Sequence, residues 1–394
     1  MHKTDVLVIG GGIHGCGVAQ AAAAQGLRVL LVEQGEIASG TSSRSSKLIH
    51  GGLRYLETAQ FSLVREALHE REILLRIAPE LVRKERFYIP VYRTSSRSAW
   101  KIAAGLMLYR LFGGDGAGFH PVSHARWAQT LPDLSMQGLR AVFQYRDAAT
   151  DDAALTKAVA DSAIQMGAEV LTGCRVQSAK RVHDGWEVDM GHDGMAHASA
   201  LVNAAGPWVN QVQDLIAPKP RKLCISLVQG SHIILPQSQE AYVYAEADDG
   251  RAAFIMPWKG KTMVGTTEVD ALDVDHPDPG DDEISYLLKV YRRHYPSRPS
   301  GENDVMDCFA GVRVLTGEGG RFTGRTREVR LLCDDSGHPH RVTIYGGKLT
   351  TYRRTAERVM QLLSPALHPP RPEADTANIK LHPHDSLNVP KYVI

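Results

Sequence analysis

At 394 residues the chain is too long for one ordinary hydrophobic core, so two closely packed domains are expected, and a globular composition with a formal net charge of +1 argues against a nucleic-acid scaffold. Five cysteines (Cys16, Cys174, Cys224, Cys308 and Cys333) are odd in number and scattered, without metal or disulfide spacing, which fits a reducing compartment and no metal centre. The start lacks a charged segment followed by an apolar one, so no secretory signal is expected, and no run reaches the roughly 18 apolar residues of a membrane span.

The chain opens on DVLVIGGGIHGCGVAQAAAAQGLRVLLVE, residues 5–33. The continuous apolar run 6–9 predicts a buried parallel strand. Gly10, Gly12 and Gly15 follow it with the G-x-G-x-x-G spacing: one for a tight turn, one for close approach of backbone to a pyrophosphate, one for helix–strand packing. The helix that starts there aims unpaired N–H groups and its positive dipole end at phosphates. Residues 19–24 are strong helix formers, Gly26 stands where a C-terminal cap belongs, and 27–32 read as the second strand. Glu33 at its end suits ribose hydroxyls and repels a 2′-phosphate, so a nucleotide cofactor other than NADP is expected. TSSRSSKLIHGGLRYLE, residues 41–57, then packs hydroxyls, two arginines, a lysine and a histidine into one turn-rich stretch. Directly downstream of the cradle, it points to cofactor contact and an anionic substrate.

Phe61, Val64, Leu68 and Leu75 recur at helical spacing, predicting a helix over 57–77 that ends before Pro79. Residues 98–112, SAWKIAAGLMLYRLF, are apolar nearly all round with Lys101 and Arg110, which suits either a bilayer interface or burial between domains. A helix is expected over 151–166, capped by Asp151 and closed by Gly167. Strands over 175–181, 186–190 and 200–203 follow, turning at Asp184-Gly185 and Asp193-Gly194. The third runs into NAAGPW, 203–208, where Gly206 again permits close approach. Residues 223–236 and 242–269 read as strands of an antiparallel-rich second domain, and 282–295 as a helix. Finally 341–345 is a strand entering GGKLTTYRRTAERV, a return to the first domain. Its glycines and helix start set backbone N–H groups and a positive dipole end against a cofactor. The fold class is therefore α/β: a discontinuous Rossmann-like domain over 1–90, 146–222 and 336–364, and an α+β substrate domain over 91–145 and 223–335. Residues 365–394, rich in proline, are expected as a tail or an ordered strap.

These residues resemble the FAD-dependent glycerol-3-phosphate dehydrogenase family, among the D-amino-acid-oxidase-like flavoproteins. The resemblance rests on VIGGGIHGCG (8–17), TSSRSSKLIHGGLRYLE (41–57), NAAGPW (203–208), GSHIILP (230–236), VGTTEVD (264–270), FAGVRVL (309–315) and YGGKLTTYRRTAE (345–357), in family order from the N-terminus to about residue 360. Family members usually carry a further helical C-terminal domain, and this chain stops soon after Ser364.

The resemblance implies FAD as cofactor. Gly10, Gly12, Ile13, His14 and Gly15 would cradle its pyrophosphate and Glu33 its adenosine ribose. Thr41, Ser42, Ser43, Ser46, Lys47 and Leu48 would line the phosphates and ribityl chain. Val176 would touch adenine, Ala205, Gly206 and Trp208 the nucleotide, and Gly346, Gly347, Lys348, Leu349 and Thr350 the flavin. A substrate phosphate beside a secondary alcohol calls for arginine forks. Arg54, Arg313 and Arg327 are the candidates, with Lys348 as a point charge and Tyr55 orienting the substrate. Oxidation at C2 also requires removal of the hydroxyl proton. His50 is the preferred base and His232 the second choice, because imidazole titrates near working pH. Thr266 and Thr267 line the pocket or pair strands.

The implied reaction is oxidation of sn-glycerol 3-phosphate to dihydroxyacetone phosphate, with hydride passing from C2 to flavin N5 and electrons passing on to a quinone-type acceptor. The flavin is expected to be non-covalent. The implied location is cytoplasmic, with peripheral contact on the cytoplasmic face of the membrane. Two other readings stay open: a flavin oxidase or dehydrogenase of another polyol phosphate, 2-hydroxy acid or amino acid, and a catalytically idle FAD-binding protein.

Overall fold

The computed structural model describes residues 1–317, 328–371 and 373–384. Five strands lie side by side and parallel in one sheet, in the order Arg341–Tyr345, Met195–Asn203, His2–Ile9, Val29–Val32 and Glu169–Leu171. Their side chains are apolar on both faces because helices cover one face and other chain segments the other; Leu7, Val8, Leu31 and Val202 are fully buried. The strand ending at Asn203 is longer than expected, starting at Met195. Its first half carries Ala196 and Ala198, small residues with little strand propensity, and it is held by pairing on both sides, with the start of His2–Ile9 and with the antiparallel strand Gly185–Asp189. The strand expected from residue 175 begins at Ser178, so Arg175 and Val176 stay outside the ladder. The short strand Glu169–Leu171 had no legible pattern.

The helix Ile13–Ala24 is buried almost all round. Its alanines let the helices Asp152–Gln165 and Tyr352–Leu367 pack against it closely. Asp151 caps its helix by accepting the Ala154 N–H at 3.1 Å, and Gly167 follows with φ +96°. The helix expected from residue 57 begins at Phe61. Leu53–Leu56 form a separate 3₁₀ turn, and Ala59 at φ +55° interrupts the path between them.

A second sheet holds ten strands among the described residues, mostly antiparallel. Its longest ladders pair Val82–Tyr92 with Leu139–Thr150 and Ile225–Leu235 with Asp307–Thr316. The pair Leu48–Ile49 also joins this sheet, so the chain already crosses between the sheets within its first 90 residues. The helix Asp281–His294 lays Leu287, Leu288 and Tyr291 on the sheet, with acids in its first turn and bases in its last.

The last described segment is a strap. The helix Tyr352–Leu367 runs through Pro365, after which the chain turns back across the first domain. Arg371 donates its N–H to Gln25 O at 3.1 Å, Leu381 donates its own to Ile77 O at 2.8 Å, and the Leu381 side chain is buried. The two sheets face each other where the parallel strands end, and the Thr41 hydroxyl donates to Val312 O at 2.7 Å across that boundary.

Candidate active site

A cavity of about 950 Å³ opens at the C-terminal ends of the parallel strands, bounded on its far side by the second sheet. This is where open α/β sheets place ligands. Gly10, at φ +111°, makes the first turn, and a Cβ there would come 2.7 Å from Ala204 O. Gly12 faces the cavity, and the first turn of its helix carries no acid to neutralise the positive dipole end. The Ser42 hydroxyl accepts the Ile13 N–H at 2.9 Å, tying the 41–46 segment to that helix start. Glu33 accepts N–H groups from Gly11 (2.6 Å) and Gly35 (2.8 Å), which fixes its carboxylate at the rim while lone pairs remain for ribose hydroxyls.

Thr41, Ser46, Leu48, Val176, Ala205, Gly206 and Trp208 line the same cavity. At its other end Gly346 and Gly347, at φ +70° and +100°, carry the chain into a 3₁₀ turn, Leu349–Thr351, before the last helix. A side chain on Gly347 would overlap the ring of His14. Burial pushes the His14 imidazole down to about 4, so it stands neutral there. Cys174 also borders the cavity, but burial and Asp193 beside it push its thiol up to about 12, leaving no thiolate for attachment to a cofactor. These residues fit FAD: glycines keep side chains out of the cradle, a dipole end faces it, and hydroxyls alternate along its wall.

Three expected cofactor residues stand elsewhere. Gly15 does not line the cavity; a Cβ there would overlap Gly10 O, so it serves the packing of helix on strand. Ser43 turns away and donates to Gly40 O at 3.1 Å. Lys47, at φ +58°, points behind the wall, where it donates to Ser43 O and pairs at 2.6 Å with Asp152, a fully buried carboxylate. A buried acid needs that partner more than a solvated phosphate does. Lys47→Ala is therefore expected to lower stability by about 3–5 kcal/mol in denaturant unfolding while KM is unchanged. A raised KM at full stability would return Lys47 to the cavity.

The charged end of the cavity lies on the second sheet. Arg54 donates to Glu268 at 3.1 Å. Arg313 reaches the same Glu268 oxygen at 3.4 Å and donates to the Thr266 hydroxyl at 2.9 Å. One carboxylate oxygen thus draws two guanidinium groups together on the cavity wall. Lys348 lies over the Tyr55 ring, 3.8 Å from its centroid. His50 lines the same wall, with its backbone N–H donating to the Thr350 hydroxyl at 3.3 Å and the Phe254 ring edge-on at 6.2 Å. His232 is buried, stacks on Phe309 at 4.8 Å and meets the Ser46 hydroxyl at 3.0 Å. Burial, with Arg313 and Lys47 nearby, lowers it to about 3, which makes it a weak base and a neutral wall. Arg327 lies outside the described residues. Thr266 lines the cavity, whereas Thr267 turns inward to the buried carboxylate of Glu283. Glu268 was missed as a site residue, although an acid directly after two threonines at the end of a strand is a visible signal.

The sequence profile of the FAD-dependent oxidoreductase family matches residues 5–353. The aerobic glycerol-3-phosphate dehydrogenase of Escherichia coli (strain K12) is 39% identical over 389 residues, covering 93% of this chain and 74% of that protein. The D-erythritol 1-phosphate dehydrogenase of Brucella abortus (strain 2308) is 40% identical over 373 residues, covering 91% and 73%. The crystal structure of the glycerol-3-phosphate dehydrogenase of Bacillus halodurans complexed with FAD superposes with a TM-score of 0.75 at 28% identity, covering 96% of this chain and 68% of that one.

Proposed function

The chain belongs to the FAD-dependent oxidoreductase family, among relatives named glycerol-3-phosphate dehydrogenase, and its cofactor is FAD; from that premise we propose that it oxidises sn-glycerol 3-phosphate to dihydroxyacetone phosphate. The observation that supports this most is the pair Arg54 and Arg313, brought together by Glu268 on the wall that carries His50. The two guanidinium groups bind the phosphate dianion through charge-assisted, fork-shaped hydrogen bonds. Lys348 adds a cation held over Tyr55, and Tyr55 orients the polyol. The imidazole of His50 accepts the C2 hydroxyl proton as the ketone forms. Bound FAD supplies the two-electron acceptor for the hydride leaving C2. The glycines at 346 and 347 and the turn after them would offer backbone N–H groups to a bound flavin and favour the negative charge it gains on reduction.

The erythritol-phosphate relative, about as similar as the glycerol-phosphate ones, supports a second substrate, a longer polyol phosphate. Steady-state turnover with a dye acceptor across a panel of polyol phosphates decides between them. Preference for sn-glycerol 3-phosphate supports the first reading and preference for a four-carbon phosphate the second. Turnover of amino acids alone contradicts both.

Electrons pass to a quinone at a membrane surface in this reading. Among the described residues no helix is long and apolar enough to cross a membrane. The helix Ala99–Gly113 buries Ile102, Leu106 and Tyr109 and leaves Trp100, Met107 and Leu111 at 69%, 66% and 76% exposure, flanked by Lys101 and Arg110. An apolar stripe between cations suits the interface of an anionic bilayer. Flotation with vesicles containing anionic lipid is expected to carry the protein, and Trp100→Ser with Leu111→Ser to abolish it. Equal flotation of that variant would contradict the assignment.

A further inference from the structure

The segment that carries His50 is glycine on its C-terminal side. Gly51 and Gly52 follow directly, and Gly52 sits at φ +78°. Such backbone is intrinsically mobile, and a base must be held to within a fraction of an ångström to accept a proton. The Gly51 N–H donates at 2.8 Å to the hydroxyl of Tyr109, and that hydroxyl donates at 2.7 Å to Asp147. Asp147 in turn pairs at 2.6 Å with Arg71. The three side chains come from three elements, Ala99–Gly113, Leu139–Thr150 and Phe61–Ile77, and each is at most 2% exposed.

A buried ion pair adds little net stability compared with apolar packing, but it fixes geometry firmly once every group is satisfied. Here the fixed end is one backbone amide beside the proposed base. Arg54 and Tyr55 stand in the next turn, where Arg54 has its own tie to Glu268. We propose that Tyr109, backed by Asp147 and Arg71, is a positioning residue that pins the Gly51 amide and so holds the His50 imidazole in place. The helix carrying Tyr109 thus joins its exposed apolar stripe to the active-site loop. The proposal rests on the reading of His50 as base.

Tyr109→Phe removes only the hydroxyl. The FAD-loaded variant is expected to keep its KM, to melt at a lower temperature because a buried N–H and a buried carboxylate each lose a partner, to lose about 10- to 100-fold in kcat, and to exchange amide hydrogen faster in the peptide around Gly51. Combined with His50→Gln it is expected to be no slower than His50→Gln alone, because the two act through one group. An unchanged kcat, or losses that multiply in the double variant, would overturn the proposal. If His50→Gln keeps full kcat, the base reading fails by itself. Exchange then decides the anchoring: unchanged exchange in Tyr109→Phe overturns it. Should Tyr109→Phe fail to accumulate, Gly51→Ala paired with Leu68→Ala tests the same contact from the loop side, since the new Cβ would come 2.6 Å from the Tyr109 hydroxyl and 2.7 Å from the Leu68 side chain, and the second change removes the latter overlap. It predicts the same fall in kcat, and full kcat in it overturns the proposal.

Discussion

Arg313→Ala is expected to raise KM for sn-glycerol 3-phosphate by about 10- to 100-fold while FAD stays bound. The estimate follows from one lost hydrogen bond to a charged group, worth about 1.5–3 kcal/mol. Arg313 lies in the strand Asp307–Thr316 between buried Val312 and Val314, and it is only partly exposed, so the ion is shielded from water on most sides. Its known partners, Thr266 and Glu268, leave the guanidinium facing the cavity rather than bulk solvent. The mutation removes a cation that is shielded from water on the cavity wall, so the effect should exceed that of removing a rim charge. Steady-state kinetics with a dye acceptor, alongside the flavin content of the purified variant, measures it. An unchanged KM would remove Arg313 from the phosphate site.

His50→Gln is expected to lower kcat by about 10²- to 10⁴-fold without loss of FAD, the usual range for deleting a general base. Glutamine keeps a polar side chain of similar reach but cannot take up a proton at working pH. The pH dependence separates the two histidines. An imidazole must be neutral to accept the hydroxyl proton, so kcat falls as pH drops through the pKa of the base. His232, lowered to about 3, is neutral throughout the range from mild acid to mild base and contributes no limb there. An acid limb in the parent that vanishes in His50→Gln identifies His50. A limb that persists, with kcat intact, would point to another group.

The cradle was legible because its function is written in local sequence: a strand, glycines at fixed spacing, a helix and an acid are neighbours in the chain and in space. Gly10, Gly12 and Glu33 line one cavity at the end of the first parallel strands. Lys47 and Ser43 were misplaced because a cluster of hydroxyls and charge does not say which side of a wall each member faces. That is settled by Asp152, more than a hundred residues away, whose buried carboxylate takes the lysine. Glu268 and Tyr109 were missed for the same reason. Their roles depend on partners at long sequence separation, Arg54 and Arg313 in one case and Gly51 in the other. The helix Ala99–Gly113 was ambiguous in sequence since its apolar residues surround it; packing resolved which face is buried. The second sheet was anticipated as antiparallel, but the capture of Leu48–Ile49 by its ladder was not, as two residues carry no periodicity.

The most direct measurement is spectroscopic. Sn-glycerol 3-phosphate at millimolar concentration is added to the purified yellow protein under strict exclusion of oxygen, and the flavin absorbance is followed. Bleaching that depends on the phosphate group is the predicted result. Flavin that stays oxidised with this and every other polyol phosphate would contradict the account at its centre.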